Sequence, residues 1–129
     1  RTARDAAAAV GCEVGQIVKS LVFSCEDGRA VIVLASGTNR VDVERLAREL
    51  GSPASMADPA TVREATGFAI GGVAPVGLPQ AVPVLMDEDL LRYDTVWAAA
   101  GTPRSVFPVA PTALRDVTGA AVLAVHDGV

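Results

Sequence analysis

QIVKSLVFS at residues 16–24 and RAVIVLA at residues 29–35 are the two stretches that decide the fold of this chain. Both are rich in apolar and β-branched residues, which predicts β-strands. Glu26-Asp27-Gly28 lies between them and is a turn signal typical of a hairpin. The two stretches therefore predict a pair of antiparallel strands.

Helix-capping residues and further apolar runs complete the pattern on both sides of this hairpin. The predicted helices are a first one capped by Thr2 and running through Ala9, a second from Asp42 to Gly51, a third from Asp58-Pro59 to Gly67, a short acidic one at Asp87–Leu91, and a last one at Pro111–Val117. The further predicted strands are Val82–Met86, Thr95–Ala99, Val106–Val109 and a final buried strand at Ala120–Val125. Strands outnumber helices, and the helices occur singly. We therefore expect an α+β (mixed α/β) fold with a mixed, mostly antiparallel sheet and flanking helices.

Length and composition indicate one cytoplasmic domain over residues 1–129, and the abrupt helical start predicts that a further segment precedes Arg1. Half of the 129 residues are apolar, which is enough for a core without disulfide or metal staples. The apolar runs fall well short of the roughly 20 residues that a membrane helix needs. With 15 acidic and 11 basic residues, the formal charge of -4 argues against broad electrostatic binding of nucleic acid.

Lys19 is the only lysine, whereas ten basic residues are arginine. The two-residue period of a strand places Lys19 on the same face as Ile17, Leu21 and Phe23. One interpretation is an edge-strand lysine that extends its ammonium group to water and discourages edge pairing. The other is a point charge in a cleft, where three N–H donors hold a phosphate or a hydroxyl group. The residues alone leave both interpretations open.

A glycine-rich loop, Gly71-Gly72-Val73-Ala74-Pro75-Val76-Gly77, is the second candidate for chemistry. Glycine permits positive φ and lets a ligand approach backbone N–H groups, and Pro75 stiffens the loop. The loop matches neither a Walker loop nor a dinucleotide fingerprint. Gly101, after three alanines, is a similar and weaker signal. Such loops are often only turns, and that interpretation stays open as well.

Other residues that could carry chemistry have no partners in the sequence. His126 is the only histidine, and neither it nor the two cysteines show the spacing of a metal site. No G-x-S-x-G elbow supports a catalytic triad. Asp87, Glu88 and Asp89 are interpreted as a solvated helix start rather than as paired catalytic carboxylates. We expect no metal and no cofactor.

Several segments, taken in order, resemble the YbaK-like family, also called the prolyl-tRNA synthetase-associated editing domains. The resemblance lies in Gln16-Ile17-Val18-Lys19-Ser20-Leu21, in Ser36-Gly37 with Val41-Asp42, in Thr66-Gly67-Phe68 leading into the glycine-rich loop, and in Ala99-Ala100-Gly101. It covers nearly the whole chain. The ordered combination is more specific than any one motif.

The resemblance implies a free-standing trans-editing aminoacyl-tRNA deacylase that hydrolyses the ester of a mischarged tRNA, with proline tRNA carrying a small non-cognate amino acid as the expected substrate. In such proteins the lysine that aligns with Lys19 contacts the 3′ end of the tRNA or the substrate, and the loop aligned with Gly71 to Pro75 positions the ester. Prolyl-tRNA synthetase is an expected partner. The expected catalytic residues are Lys19, Gly71 and Gly72, and the expected substrate-binding residues are Ser20, Gly37, Val73, Ala74, Pro75 and Gly101.

In this mechanism Lys19 anchors the phosphate or ribose, and backbone N–H groups near Gly71, Gly72 and Gly101 face the developing oxyanion. No nucleophilic side chain is needed. Ser20 stands where alanine-directed members have asparagine, so an alanine-specific editor is disfavoured. The sequence does not rank cysteine, serine, threonine or 2-aminobutyrate as the amino acid removed. Two alternatives remain: a non-catalytic module that binds tRNA or a synthetase, and an esterase for small molecules.

Overall fold

The computed structural model describes residues 2–78 and 81–126. The helices are α1 (Ala3–Val10), α2 (Val43–Leu50), α3 (Pro59–Thr66) and α4 (Pro111–Thr118), with 3₁₀ helices at Val14–Gln16 and Glu88–Arg92. The strands are β1 (Val18–Cys25), β2 (Ala30–Ser36), β3 (Ala54–Met56), β4 (Val84–Asp87), β5 (Val96–Ala99), β6 (Val106–Val109) and β7 (Ala121–Leu123). None of these helices has the length and apolar character needed for a membrane crossing.

The described strands form a five-stranded sheet in the order β3-β1-β2-β4-β7 and a two-stranded sheet of β5 and β6. β1 pairs antiparallel with both β2 and β3, and β5 pairs antiparallel with β6. β4 pairs in parallel with β2 and with β7. The α+β fold and the mixed sheet are therefore confirmed, and three of the five described strand pairings are antiparallel.

The helices begin at the caps that the sequence predicts. The Thr2 side chain accepts a hydrogen bond from Asp5 N, and the Asp5 side chain accepts one from Thr2 N, which completes a capping box. Asp42 and Asp58 cap α2 and α3 in the same way, by accepting from main-chain N–H groups of the first turn. Each of these helices ends at a glycine of left-handed conformation, which leaves no clash at the turn into the next element.

The large sheet buries side chains on both faces, in agreement with the alternation along β1. Val18 and Val22 belong to the core on the face that α3, α4 and β5 cover. Phe23 belongs to the core on the opposite face, where Leu46 of α2 packs. Lys19 has the same strand parity as Leu21 and Phe23 and pairs with Ala35, so its predicted face is confirmed.

Two strands differ from the prediction. β3 was not predicted, because three residues between a proline and an alanine show no periodic pattern, and tertiary pairing with β1 creates the strand. The final strand is shorter than Ala120–Val125 and is only partly buried, because β7 forms an edge of the sheet and has one neighbour, β4. The short edge strand leaves few unpaired N–H and C=O groups.

Candidate active site

A gap in the pairing of β1 creates the floor of the candidate site. On the side opposite β2, β1 has neighbours at its two ends: Ile17, just before the strand, bridges Trp97 of β5, and Phe23–Cys25 pair with β3. Next to the pairing with β3, Val22 O accepts a hydrogen bond from Ala57 N. The stretch between these contacts, residues 18–21, is an open strand edge between β3 and β5.

A cavity of about 350 Å³ lies over this open edge. Its volume is in the range of small-molecule sites, about 300–1,000 Å³. Apolar side chains dominate the walls, which are Thr2, Ala3, Ala6, Ile17, Val18, Lys19, Ser20, Leu21, Val22, Met56, Ala57, Val62, Ile70, Gly71, Val73, Ala99 and Val106. Met56 and Ile70 are about half exposed, at 54% and 50%, and form an apolar rim. The cavity is therefore suited to a small ligand with an apolar part.

Lys19 lines this cavity and also a second one, which Thr2, Ala3, Arg4, Val14, Gly37 and Thr38 share with it. The two cavities meet at α1 and at Lys19, so that the lysine stands at their junction. Its half-buried ammonium group donates a hydrogen bond to the main-chain carbonyl of Asn39. An ammonium group has three N–H donors, so among the described residues two of them remain for a ligand.

The turn that holds the Lys19 ammonium group is fixed by a buried carboxylate. Asp87 is fully buried and accepts hydrogen bonds from Ser36 N at 3.0 Å and from Asn39 Nδ2 at 2.8 Å through Oδ2. Its Oδ1 accepts from Asp89 N at 3.0 Å, and Asp89 Oδ2 accepts a second bond from Asn39 Nδ2 at 2.8 Å. Two carboxylates thus hold the Asn39 side chain, and the Asn39 carbonyl holds Lys19.

This finding corrects the interpretation of the acidic segment. Asp87 does cap the following 3₁₀ helix, but it is not solvated, and the side chain of Asp89 is only 15% exposed. Glu88 alone is exposed. Three adjacent acidic residues give no sign in the sequence that one is buried and another exposed. The burial of Asp87 depends on the turn of residues 36–39, which is far away in sequence.

The glycine-rich loop lies on the wall opposite β1. Gly71, at φ 84°, and Val73 line the cavity. Among the described residues, the Gly71 N–H has no acceptor. The Gly72 N–H, in contrast, donates to the carbonyl of Ala69 at 2.9 Å. Gly71 is therefore placed to offer a free backbone donor, and Gly72 is not.

Gly72 has a packing role instead, because a Cβ there would lie 2.8 Å from the carbonyl carbon of Thr102. Gly101 packs in a similar way, with the ring of Phe68 at 3.3 Å from its would-be Cβ. Ala74 and Pro75, further along the same loop, are buried. Gly72, Ala74, Pro75 and Gly101 thus support the wall and do not line either cavity.

The structure therefore brings together four of the predicted residues, Lys19, Ser20, Gly71 and Val73, around one cavity. Gly37 lies in the adjoining cavity, where a Cβ would meet the carbonyl oxygen of Val14 at 2.3 Å, so a larger residue does not fit there.

Sequence reasoning missed the apolar walls from α1, α3 and β6 and the Asp87–Asn39 network. The apolar residues gave no signal, since they resemble ordinary core positions. His126 contacts Asp89, with Nε2 at 3.3 Å from Oδ2, and lines neither cavity. Within residues 2–78 and 81–126, no three His, Cys, Asp or Glu side chains are grouped to hold a metal ion.

Burial lowers the pKa of Lys19 below its ordinary value of 10.5; the Asp87 carboxylate opposes this effect, and the Arg40 charge adds to it. Because Lys19 is the only lysine, its side-chain ¹³Cε resonance is unique, and we expect its titration midpoint to lie below 10.5. The unfolded chain binds more protons than the folded one between the lowered pKa and 10.5. The free energy of unfolding should therefore rise with pH across that window. A midpoint at or above 10.5 would mean that the Asp87 charge outweighs burial, contrary to this expectation.

Comparison with known proteins identifies the family. The model of the aminoacyl-tRNA editing domain matches residues 1–117. The chain belongs to the aminoacyl-tRNA editing domain family. It is accordingly an aminoacyl-tRNA deacylase, a hydrolase of the ester between an amino acid and tRNA, and the predicted family and enzyme class are confirmed.

Individual relatives agree with this assignment. A crystal structure described as a candidate trans-editing enzyme for prolyl tRNA synthetase superimposes with a TM-score of 0.95 at 55% identity, over 99% of this chain and 81% of that one. The protein YwhH of Bacillus subtilis is 34% identical over 115 residues, 89% of this chain and 73% of YwhH. EbsC of Enterococcus faecalis, named as a candidate Cys-tRNA(Pro)/Cys-tRNA(Cys) deacylase, is 26% identical over 118 residues, 91% of this chain and 72% of EbsC. Bacterial proline–tRNA ligases also match, over 13% to 20% of their own length.

Proposed function

We propose that this editing domain acts in trans, as a free-standing cytoplasmic protein, on proline tRNA that carries a small non-cognate amino acid. One observation carries the proposal: Lys19, Gly71 and Val73 border a single cavity over the open edge of β1. The names of EbsC and of the trans-editing enzyme support proline tRNA as the substrate. The ligase matches support an association with prolyl-tRNA synthetase.

The two joined cavities fit the two ends of the ester. The apolar cavity takes the aminoacyl group, while the second cavity takes the terminal ribose and its phosphate. Lys19 at the junction, with two free N–H donors, anchors the phosphate or a ribose hydroxyl, and Arg4 adds a positive charge at the same cavity. This local positive charge is compatible with the formal charge of -4 on the whole chain.

Hydrolysis follows from preorganised donors and an oriented water rather than from a covalent intermediate. The free N–H of Gly71 donates to the carbonyl oxygen of the ester as negative charge develops there. Water attacks the carbonyl carbon, the ester bond to the ribose breaks, and the terminal ribose oxygen leaves with the proton that the attacking water releases. Binding both parts of the substrate aligns the ester with this donor. Gly72 takes no part in donation and instead holds the loop against Thr102.

Incubation of the protein with proline tRNA charged with alanine, serine, cysteine, threonine, 2-aminobutyrate or proline tests this function. We expect hydrolysis of at least one small non-cognate ester well above the spontaneous rate, and no acceleration for prolyl-tRNA. The same amino acids on alanine or serine tRNA provide the matched control for tRNA preference. Hydrolysis at a rate that does not depend on which tRNA is charged, or hydrolysis of small-molecule esters alone, would favour the esterase alternative. Binding of charged tRNA without hydrolysis would favour the non-catalytic module.

A further inference from the structure

Ser20 lines the main cavity, and its hydroxyl group is buried without a partner. Among the described residues, its Oγ is the one buried side-chain nitrogen or oxygen atom without a hydrogen-bond partner. A hydroxyl group can donate one hydrogen bond and accept two. Buried polar groups in proteins are nearly always paired, so an orphan group at a cavity points to a ligand as its partner.

The position of Ser20 directs it to that ligand. Its parity along β1 is that of Val18 and Val22, so its side chain belongs to the face that packs toward Val62 and Val73, and all five residues line the cavity. Val22 O accepts a hydrogen bond from Ala57 N on the side of β1 that faces away from β2. Because of the two-residue period of the strand, the N–H and C=O of Ser20 face the same side, where the edge is open. Ser20 is therefore one of three polar side chains, with Thr2 and Lys19, in a mostly apolar wall.

We propose that Ser20 determines specificity by forming a hydrogen bond with a side-chain hydroxyl of the aminoacyl group, which makes seryl-tRNA a better substrate than alanyl-tRNA. This inference rests on the proposed function and deepens it. Most of the remaining wall is apolar, with Lys19 and Thr2 as its other polar side chains, so larger polar or charged groups find few partners there and are disfavoured. A thiol is a weak donor and acceptor, so cysteine gains less from Ser20 than serine does.

Measurement of kcat/KM for seryl-, alanyl- and cysteinyl-tRNA(Pro) with the wild-type protein and with Ser20→Ala tests the proposal. We expect a preference for seryl over alanyl ester of roughly tenfold, the effect of one neutral hydrogen bond, and a ratio near one in Ser20→Ala. Ser24→Ala provides the matched control, because Ser24 lies on the same strand with the same parity and does not line the cavity. Its ratio should stay at the wild-type value.

An alanyl preference in the wild-type protein, or a seryl-to-alanyl ratio that Ser20→Ala leaves unchanged, would overturn the proposal. Binding of the non-hydrolysable analogues 3′-seryl- and 3′-alanylamino-3′-deoxyadenosine, measured by calorimetry, separates this result from a failure of the proposed function. A seryl preference in binding that Ser20→Ala removes supports the role of Ser20 even where no ester is hydrolysed. Equal binding of the two analogues counts against it.

Discussion

Replacement of Lys19 with alanine is expected to lower kcat/KM for deacylation of mischarged tRNA about 10- to 150-fold. A hydrogen bond to a charged group contributes about 1.5–3 kcal/mol, and alanine removes both the charge and the donors from the junction of the two cavities. An anchor acts equally in the bound ester and in the transition state, so the change should lie mainly in KM. Steady-state deacylation kinetics with the preferred ester measure it.

Two variants test whether kcat/KM depends on the position and shape of the Lys19 charge and not only on the number of positive charges. Lys19→Arg keeps the charge but replaces a compact ammonium group with a planar fork, so we expect an intermediate loss. Arg48→Ala removes one positive charge from an exposed site on α2 and should leave kcat/KM unchanged. Wild-type kcat/KM in a folded Lys19→Ala protein would contradict the anchoring role. Circular dichroism melting establishes that the variant is folded.

Most of the fold could be predicted because local signals agree with one another. The hairpin of β1 and β2 follows from two apolar runs around a turn, and the starts of α1, α2 and α3 follow from side chains that bond their own first turn. The face of β1 on which Lys19 lies could be predicted from the two-residue period of a strand alone. Each of these features depends on residues that are close in sequence.

The shape of the site could not be predicted, because it depends on long-range pairing. The open edge of β1 exists because β3 stops at Met56 and β5 bridges only Ile17, and β3 has no sequence signal of its own. The different roles of the two neighbouring glycines in the loop also depend on tertiary contacts. Gly71 and Gly72 are the same residue type, yet only Gly72 donates to the Ala69 carbonyl and packs against the Thr102 backbone.

Replacement of Asp87 with asparagine is expected to lower the free energy of unfolding by about 3 kcal/mol, in spite of the equal size of the two side chains. The carboxylate accepts bonds from Ser36 N, Asn39 Nδ2 and Asp89 N at 2.8–3.0 Å. An amide offers one oxygen to these three donors and turns its own NH₂ group toward at least one of them. A domain of this size has about 5–15 kcal/mol of stability, so the variant should still fold at room temperature. Urea denaturation followed by circular dichroism measures the change.

Asp87→Asn should also impair catalysis in the folded variant, because the loss of the bond to Asn39 frees the turn whose carbonyl holds Lys19. We expect a rise in KM in the same direction as for Lys19→Ala, together with a Lys19 pKa below the wild-type value, since the neighbouring carboxylate raises that pKa. Glu88→Gln removes one negative charge from the exposed adjacent residue and should change stability by less than about 0.5 kcal/mol. If Asp87→Asn lowers stability but leaves both KM and the Lys19 titration at wild-type values, Asp87 supports only the sheet, and the link from the buried carboxylate to the lysine is wrong.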